Sequence, residues 1–356
     1  MASLFLYSNS MGTFVFNQNF FLIDKVFLNE KDIIKNADLL SKGKFTEQEK
    51  KMISKHKKGQ FSFIGFKTEE FSDVKSEIDM KKLERVYSAL DKKDILADLR
   101  KADTLITKEG IRKAVNTDVF VVQAVNNVME MEKISNTMAK RLREWYSYYL
   151  PEFSESISDH EKFAEIVVAK TREEILKEIR LKKEDSMGGE VSGNDLKPII
   201  LLAKELNDIY KFKEIQSKYV DKIMENYCPN ISAVAGPLIG AKLLEKAGSL
   251  KRLSEFPSST VQVLGAEEAF FRHMTTGSRP PKHGFIHEHP FVAQASKDEK
   301  GRIARVLADK ISIAAKVDYC KGEFIGDKLR KQVEAKLKSG RKDKRKFVKK
   351  ERRERR

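Results

Sequence analysis

VQVLGAEEAFFRHMTTGSRPPKHGFIHEH, residues 261–289, concentrates more chemistry in a short span than any other part of the 356-residue chain. Its first half reads as a helix. Glu267 and Glu268 fall in the first turn, where the dipole favours anions, and Gly277 follows as a terminator. Arg272 and His273 then lie near the helix C-terminus. In the following loop Pro280 and Pro281 stiffen the backbone, while Arg279, Lys282 and His283 offer cationic or stacking groups suited to phosphates and splayed RNA bases. A plainer reading stands beside this one: Arg272 pairs with Glu268 one turn back, and the prolines only mark a turn.

Four of the six histidines, His273, His283, His287 and His289, fall inside this span and raise the question of a metal site. The His-Glu-His spacing is not a standard zinc pattern, and no HExxH or paired cysteines accompany it, so RNA contact or structural hydrogen bonding is preferred. The next segment, 301–319, places Ile303, Val306, Leu307, Ile311 and Ala314 on one face. Arg302 and Arg305 lie outside that face, where they either extend an RNA footprint or simply solvate the helix.

Upstream, residues 199–223 repeat apolar side chains at steps of three and four: Ile199, Leu202, Leu206, Ile209, Phe212, Ile215, Tyr219 and Ile223. This is a coiled-coil candidate or ordinary bundle packing. Phe163, Ile166, Val167 and Ile175 offer an opposing stripe, with Ser186-Met187-Gly188-Gly189 as the break of an antiparallel hairpin. From Thr117 to about Asn226 the sequence carries almost no strand signal. Residues 1–110 are mixed α/β, with Leu4–Tyr7 and Thr13–Phe16 as a candidate hairpin, a strand at Phe61–Phe66 and a helical stripe from Leu83 to Lys101. After Cys228-Pro229 small residues permit close helix packing through 228–338.

The formal charge is +16. Residues 341–356 hold 11 Lys and Arg against 3 Asp and Glu, so half the excess sits in an extension (339–356) read as a disordered basic tail. Cys228 and Cys320 stand far apart, against a disulfide framework or thiolate zinc site. The longest strongly apolar run, Ile199–Ala203, is far short of a membrane span, and no P-loop, GxSxG or GxGxxG signature is present. The fold class expected is multidomain and mainly α, with a small α/β N-terminal domain, a long helical hairpin and an all-α C-terminal domain.

GAEEAFFRHMTTGSRPPKHG closely resembles the signature of the Nop domain, found in box C/D guide ribonucleoprotein core proteins and a related splicing factor. RLREWYSYYLPEF (141–153), SDHEKFAEIV (158–167), CPNISAVAGP (228–237) and GRIARVLADKISIAAKVDY (301–319) resemble the same family, so the likeness covers roughly 110–330. It departs at a shorter hairpin tip near 170–193 and in FFR where LFR is usual. The resemblance implies a non-catalytic scaffold. Residues 1–110 would bind fibrillarin and 111–227 would form a coiled coil that homodimerises. Residues 228–338 would grip box C/D guide RNA together with a small kink-turn-binding protein of ribosomal type. Arg272, His273, Arg279, Lys282 and His283 fall in the matched signature and become the implied RNA contacts, with Arg302 and Arg305 beside them. Ile199, Leu202, Leu206 and Ile209 carry over as dimerisation positions. No cofactor or metal is implied on this chain, because S-adenosylmethionine belongs to fibrillarin, which would perform the ribose 2′-O-methylation. The implied location is cytoplasmic in an archaeon and nucleolar in a eukaryote. A competing reading takes AGPLIGAKLLEKAGSLKRLSEF (235–256) as a helix-hairpin-helix module that clamps DNA phosphates. A third takes the histidine cluster as a metal-dependent active centre.

Overall fold

A computed structural model describes residues 3–56, 60–69, 71, 74–90 and 93–337. The basic tail read at 341–356 lies outside them. The chain divides into two compact units, Met1–Asn116 and Thr117–Arg356.

The first unit is built on a sheet ordered β3-β2-β1-β4-β5. Its strands are β1 (Ser3–Ser8), β2 (Gly12–Phe16), β3 (Leu22–Phe27), β4 (Gln60–Ile64) and β5 (Lys75–Glu77). β1 and β2 form the expected hairpin. The Asn9 side chain closes it by accepting from Met11 N and Gly12 N at 3.0 and 3.1 Å. Gly12 is required because a Cβ there would stand 2.2 Å from the Val26 carbonyl. Period-two alternation sends Phe14 and Phe16 to one face and Leu6 and Val15 to the other, and both faces carry apolar clusters. Four helices complete the unit: α1 (Glu30–Ser41), α2 (Glu47–Lys55), α3 (Met80–Leu90) and α4 (Lys93–Ala114). The single stripe read from Leu83 to Lys101 is therefore two helices, and the strand read at Phe61–Phe66 stops at Ile64, where Gly65 takes φ +139.

A buried ion pair pins α2. Glu49, in the capping box with Thr46, meets Lys67 Nζ at 2.8 Å, with the Phe45 and Phe63 rings over the ammonium. Removing one partner would leave a desolvated charge, at a cost of about 3–5 kcal/mol.

In the second unit α5 (Thr117–Ser147) and α9 (Gly193–Tyr227) pair along their length, and α6 (Pro151–Ser156), α7 (His160–Ala169) and α8 (Arg172–Glu178) fold over one end. The antiparallel partner of α9 is thus chiefly α5. Phe163, Val167 and Ile175 do join the cluster there, with Leu142, Tyr146, Ile199 and Leu206. The Ser186–Gly189 break straps onto the end of α5: Gly189 N donates to the Tyr148 carbonyl at 2.9 Å, and Gly188 leaves no room for a Cβ beside the Tyr149 carbonyl.

At the other end α5 and α9 enter a larger core with α10 (Pro229–Ala235), α11 (Pro237–Ala247), α12 (Leu250–Glu255), α13 (Ser258–Val263), α14 (Glu267–Thr276), α15 (Pro290–Ala293), α16 (Lys300–Tyr319) and a helix over 326–337, of which α14 buries nothing. Asp318 ties this core together. Its carboxylate accepts from Asn230 N, Asn230 Nδ2 and Ile231 N at 3.1, 2.7 and 2.9 Å, satisfying the exposed amides at the start of α10.

Candidate nucleic-acid interface

The loop read from Pro280-Pro281 onward is fixed by backbone bonds. Gly284 N donates to the Gln262 carbonyl and Phe285 N to the Leu264 carbonyl, both at 2.9 Å, and Gln262 Nε2 donates to the Lys282 carbonyl at 2.6 Å. Two glycines allow so close an approach. A Cβ on Gly284 would fall 1.8 Å from the Leu264 carbonyl oxygen, and Gly265, at φ +87, faces the Phe285 ring. The loop is therefore a rigid element before any ligand arrives.

From this frame α14 projects outward. It has no buried residue, and Phe270, Phe271 and Met274 are 45, 63 and 66% exposed. Its ends are closed locally: the Glu267 carboxylate accepts from Gly265 N at 2.8 Å, and Gly277 ends it in the left-handed conformation. An amphipathic helix that buries neither face within its own chain is a surface for something else.

Arg272, Arg279 and Lys282 are exposed on this projection and its loop. Among the described residues Arg272 makes no ion pair with Glu268, so the plainer reading of that arginine fails. His273 is different. Its Nδ1 lies in a very short contact with the Ser278 carbonyl, where it can only donate, so it braces the helix end and is half-buried. His283 is half-buried against His287, their ring centroids 4.7 Å apart. Burial, then the neighbouring His287, holds the His283 imidazole below the usual histidine range.

The start of α16 comes against the same loop. Lys300 Nζ lies 3.1 Å from His287 Nε2, and the Lys282 stem runs beside Gly301. Arg302 instead engages Glu299 and the Lys336 carbonyl, and Arg305 is simply exposed. His287 enters the sequence analysis only as one of the four clustered histidines, and Lys300 does not enter it at all. Their signal was the i to i+4 spacing of His283 and His287, which says nothing about a lysine 13 residues further on.

His289 has left the cluster altogether. It is buried, its Nδ1 accepts from Phe291 N at 3.2 Å to cap α15, and burial pushes its imidazole down to about 4. Among the described residues no three potential ligands converge as a metal site. The helix-hairpin-helix reading is corrected by burial. Gly236 does turn α10 into α11, but α11 is core, with Ile239, Leu243 and Leu244 enclosed and Lys242 spent on Glu288 at 2.6 Å. A helix packed on that many sides cannot lie along a duplex.

Of the four dimerisation positions, Ile199 is 2% exposed and Leu206 is fully buried, so these two close the chain's own hairpin and are not open to a second copy, whereas Leu202, packed against the same cluster, and Ile209 are half-buried. The eight apolar residues from 199 to 223 average just under 3.5 residues per step. On a straight helix of 3.6 residues per turn that stripe drifts by roughly 120°. It starts inward, emerges on the outside at Phe212, Ile215 and Tyr219, which are 42, 61 and 46% exposed, and ends at Ile223, packed partly against the larger core.

The Nop family model, described as a snoRNA-binding domain and fibrillarin, matches residues 127–339. An uncharacterised NOP5-family protein of Methanocaldococcus jannaschii is 37% identical over 250 residues, covering 65% of this chain and 60% of that protein. Nucleolar protein 58 of Schizosaccharomyces pombe is 37% identical over 215 residues, 56% of this chain and 42% of its own length. Nucleolar protein 56 of the same yeast is 35% identical over 242 residues, 62% and 49%. The chain thus spans about half the length of these curated relatives. A chain from a crystal structure of a fibrillarin/Nop5p complex aligns with 91% of this chain and 98% of its own, at 22% identity and a TM-score of 0.40.

Proposed function

The chain belongs to the Nop family, and on that premise we propose that it is a non-catalytic scaffold of a box C/D guide ribonucleoprotein. The Nop region grips a kink-turn in the guide RNA together with a small kink-turn-binding protein. The first unit recruits fibrillarin. That partner, with its S-adenosylmethionine, methylates a ribose 2′-hydroxyl on the target, and this chain sets the distance between guide duplex and methyl donor. The observation that carries the reading is the basic loop 279–283, strapped at Lys282 and just after it at Gly284, standing beside a helix that buries nothing. Rigid cationic loops bind phosphate backbones, and unburied apolar helices bind partners, so a composite of RNA and protein fits the surface better than RNA alone.

The test is a gel-shift titration on a kink-turn guide RNA with and without the small kink-turn protein. Wild type should bind cooperatively with that protein, and Arg279→Ala/Lys282→Ala should lose at least about tenfold in affinity. Equal binding by both proteins would remove the loop from the interface.

Self-association is the second element of the proposal, now assigned to the outward face of α9. Phe212, Ile215 and Tyr219 form a helical i, i+3, i+7 stripe with Leu201 on the same side, 58% exposed, and a second copy of the hairpin would bury it. Sedimentation of Ile215→Asp should give a monomer with unchanged thermal stability. A dimer that survives would place the interface elsewhere. Cellular location follows the host in this proposal: cytoplasm in an archaeon, nucleolus in a eukaryote, as the relatives named nucleolar proteins 56 and 58 suggest.

A further inference from the structure

Arg143 spends its whole guanidinium on the cover of the hairpin. From α5 its Nε donates to His160 Nδ1 at 2.7 Å, its Nη1 to the Ser154 carbonyl at 2.7 Å and its Nη2 to the Asp159 carbonyl at 3.2 Å. The guanidinium carbon also lies 4.4 Å from the centre of the Phe163 ring. Phe163 stacks on Phe153 at 4.9 Å and meets Tyr146 edge-on at 5.8 Å, so the arginine clamps the aromatic lid at this end of the hairpin. One side chain thus ties α6, α7 and the link between them to α5.

The His160 contact fixes a protonation state. A guanidinium stays charged and has only donors, so Nδ1 must accept, and the ring is neutral with its proton on Nε2. An imidazolium has no lone pair to offer Arg143 and would set two N–H groups against each other.

The surroundings oppose the charged ring as well. Lys140 and Arg143 of α5 are cations, and His160 is the first residue of α7, at the positive end of that helix. Among the described residues that act on the ring, Asp159 alone favours the imidazolium. Its carboxylate is already shared with Glu161 N and Lys162 N at 3.0 and 3.3 Å. From α9, Tyr210 faces Glu161, Asp159 and Arg143, and burial holds its phenol above the ordinary tyrosine range, so it stays neutral. Burial, then Arg143, holds the His160 imidazole below the usual histidine range.

We propose that His160 is a pH-sensitive latch: a proton taken from solvent onto Nδ1 breaks the Arg143 contact and releases α6 and α7 from α5. Release uncovers the apolar cluster that α7 shares with α9, including Ile199 and Leu206. Because the folded ring holds its proton more weakly than the unfolded chain does, the latch is fully closed above the ordinary histidine range and opens as pH falls below it. The device is independent of the RNA-scaffold reading.

The experiment follows amide hydrogen exchange across the full chain from about pH 7.5 to about pH 5, a window that spans the histidine range and stays above that of ordinary carboxylates. Protection factors, which already remove the chemical effect of pH on exchange, should fall at least about tenfold over residues 163–170 in wild type, as losing a hydrogen bond to a charged group entails. The fall should exceed any at α11, which belongs to the other core. His160→Asn sets an amide oxygen near the place of Nδ1 and cannot titrate, so its α7 should stay protected across the window. His160→Ala should lack that protection even at the upper end. Equal pH dependence in wild type and His160→Asn overturns the proposal, and so does a wild-type α7 that never loses protection or loses it only in step with α11. Should His160→Ala fail to fold, ring-nitrogen NMR of wild type still decides: a neutral ring with its proton on Nε2 supports the latch, and a proton on Nδ1 at neutral pH refutes it.

Discussion

α11 and α14 are helices of similar length in the same domain, and they have opposite fates. α11 encloses Ile239, Gly240, Ala241, Leu243 and Leu244 so tightly that a Cβ on Gly240 would meet Ile231 at 2.7 Å. α14 buries nothing, though it carries two phenylalanines and a methionine. Apolar content therefore does not decide which helix becomes core. The small residues of α11 allow backbone approach on several sides, whereas α14 is held only at its ends, by the Gly265 and Gly277 conformations and the straps beneath the loop. A helix kept folded by its caps, with its apolar face left open, is built for an external partner.

The contrast can be broken by mutation. Leu243→Ala, at a fully buried position, should cost about 3 kcal/mol in chemical denaturation through lost transfer energy and a cavity. His289 gives the next effect, on the packed side of the same domain. Because its folded imidazole is held down at about 4, the unfolded chain takes up the proton first. Stability is full above the ordinary histidine range and drains as pH falls towards about 4, by on the order of 2 kcal/mol. Unfolding midpoints of His289→Asn should vary less over that interval than those of wild type. The smallest effect sharpens the comparison: Phe271→Ala on α14 should change stability by less than about 0.5 kcal/mol. A loss as large as that of Leu243→Ala would make α14 a core helix in solution.

Much of this was legible in the chain itself. The apolar runs Leu4–Tyr7 and Thr13–Phe16 announced the β1–β2 hairpin, and the acidic start and glycine end of 267–277 announced α14, because alternation and capping are local. The Nop resemblance carried the identity of the C-terminal domain. What the sequence hid was direction. The 199–223 stripe reads as one face, but its drift relative to 3.6 residues per turn divides it between the inside of the hairpin and the outside, and two of the four dimer positions, Ile199 and Leu206, are buried inside. The histidines were hidden in the same way. His289 turns inward to cap α15, His273 braces a helix end, and only His283 and His287 remain at the loop, completed by a lysine from α16 that no local spacing could have linked to them.

The central claim, that the strapped loop meets nucleic acid directly, is tested by the salt dependence of RNA binding. The slope of log affinity against log salt should be shallower by about 1.5 in Arg279→Ala/Lys282→Ala than in wild type, as two lost phosphate contacts require. An unchanged slope, even with weakened binding, would contradict the claim, because it would mean that neither cation neutralises a phosphate.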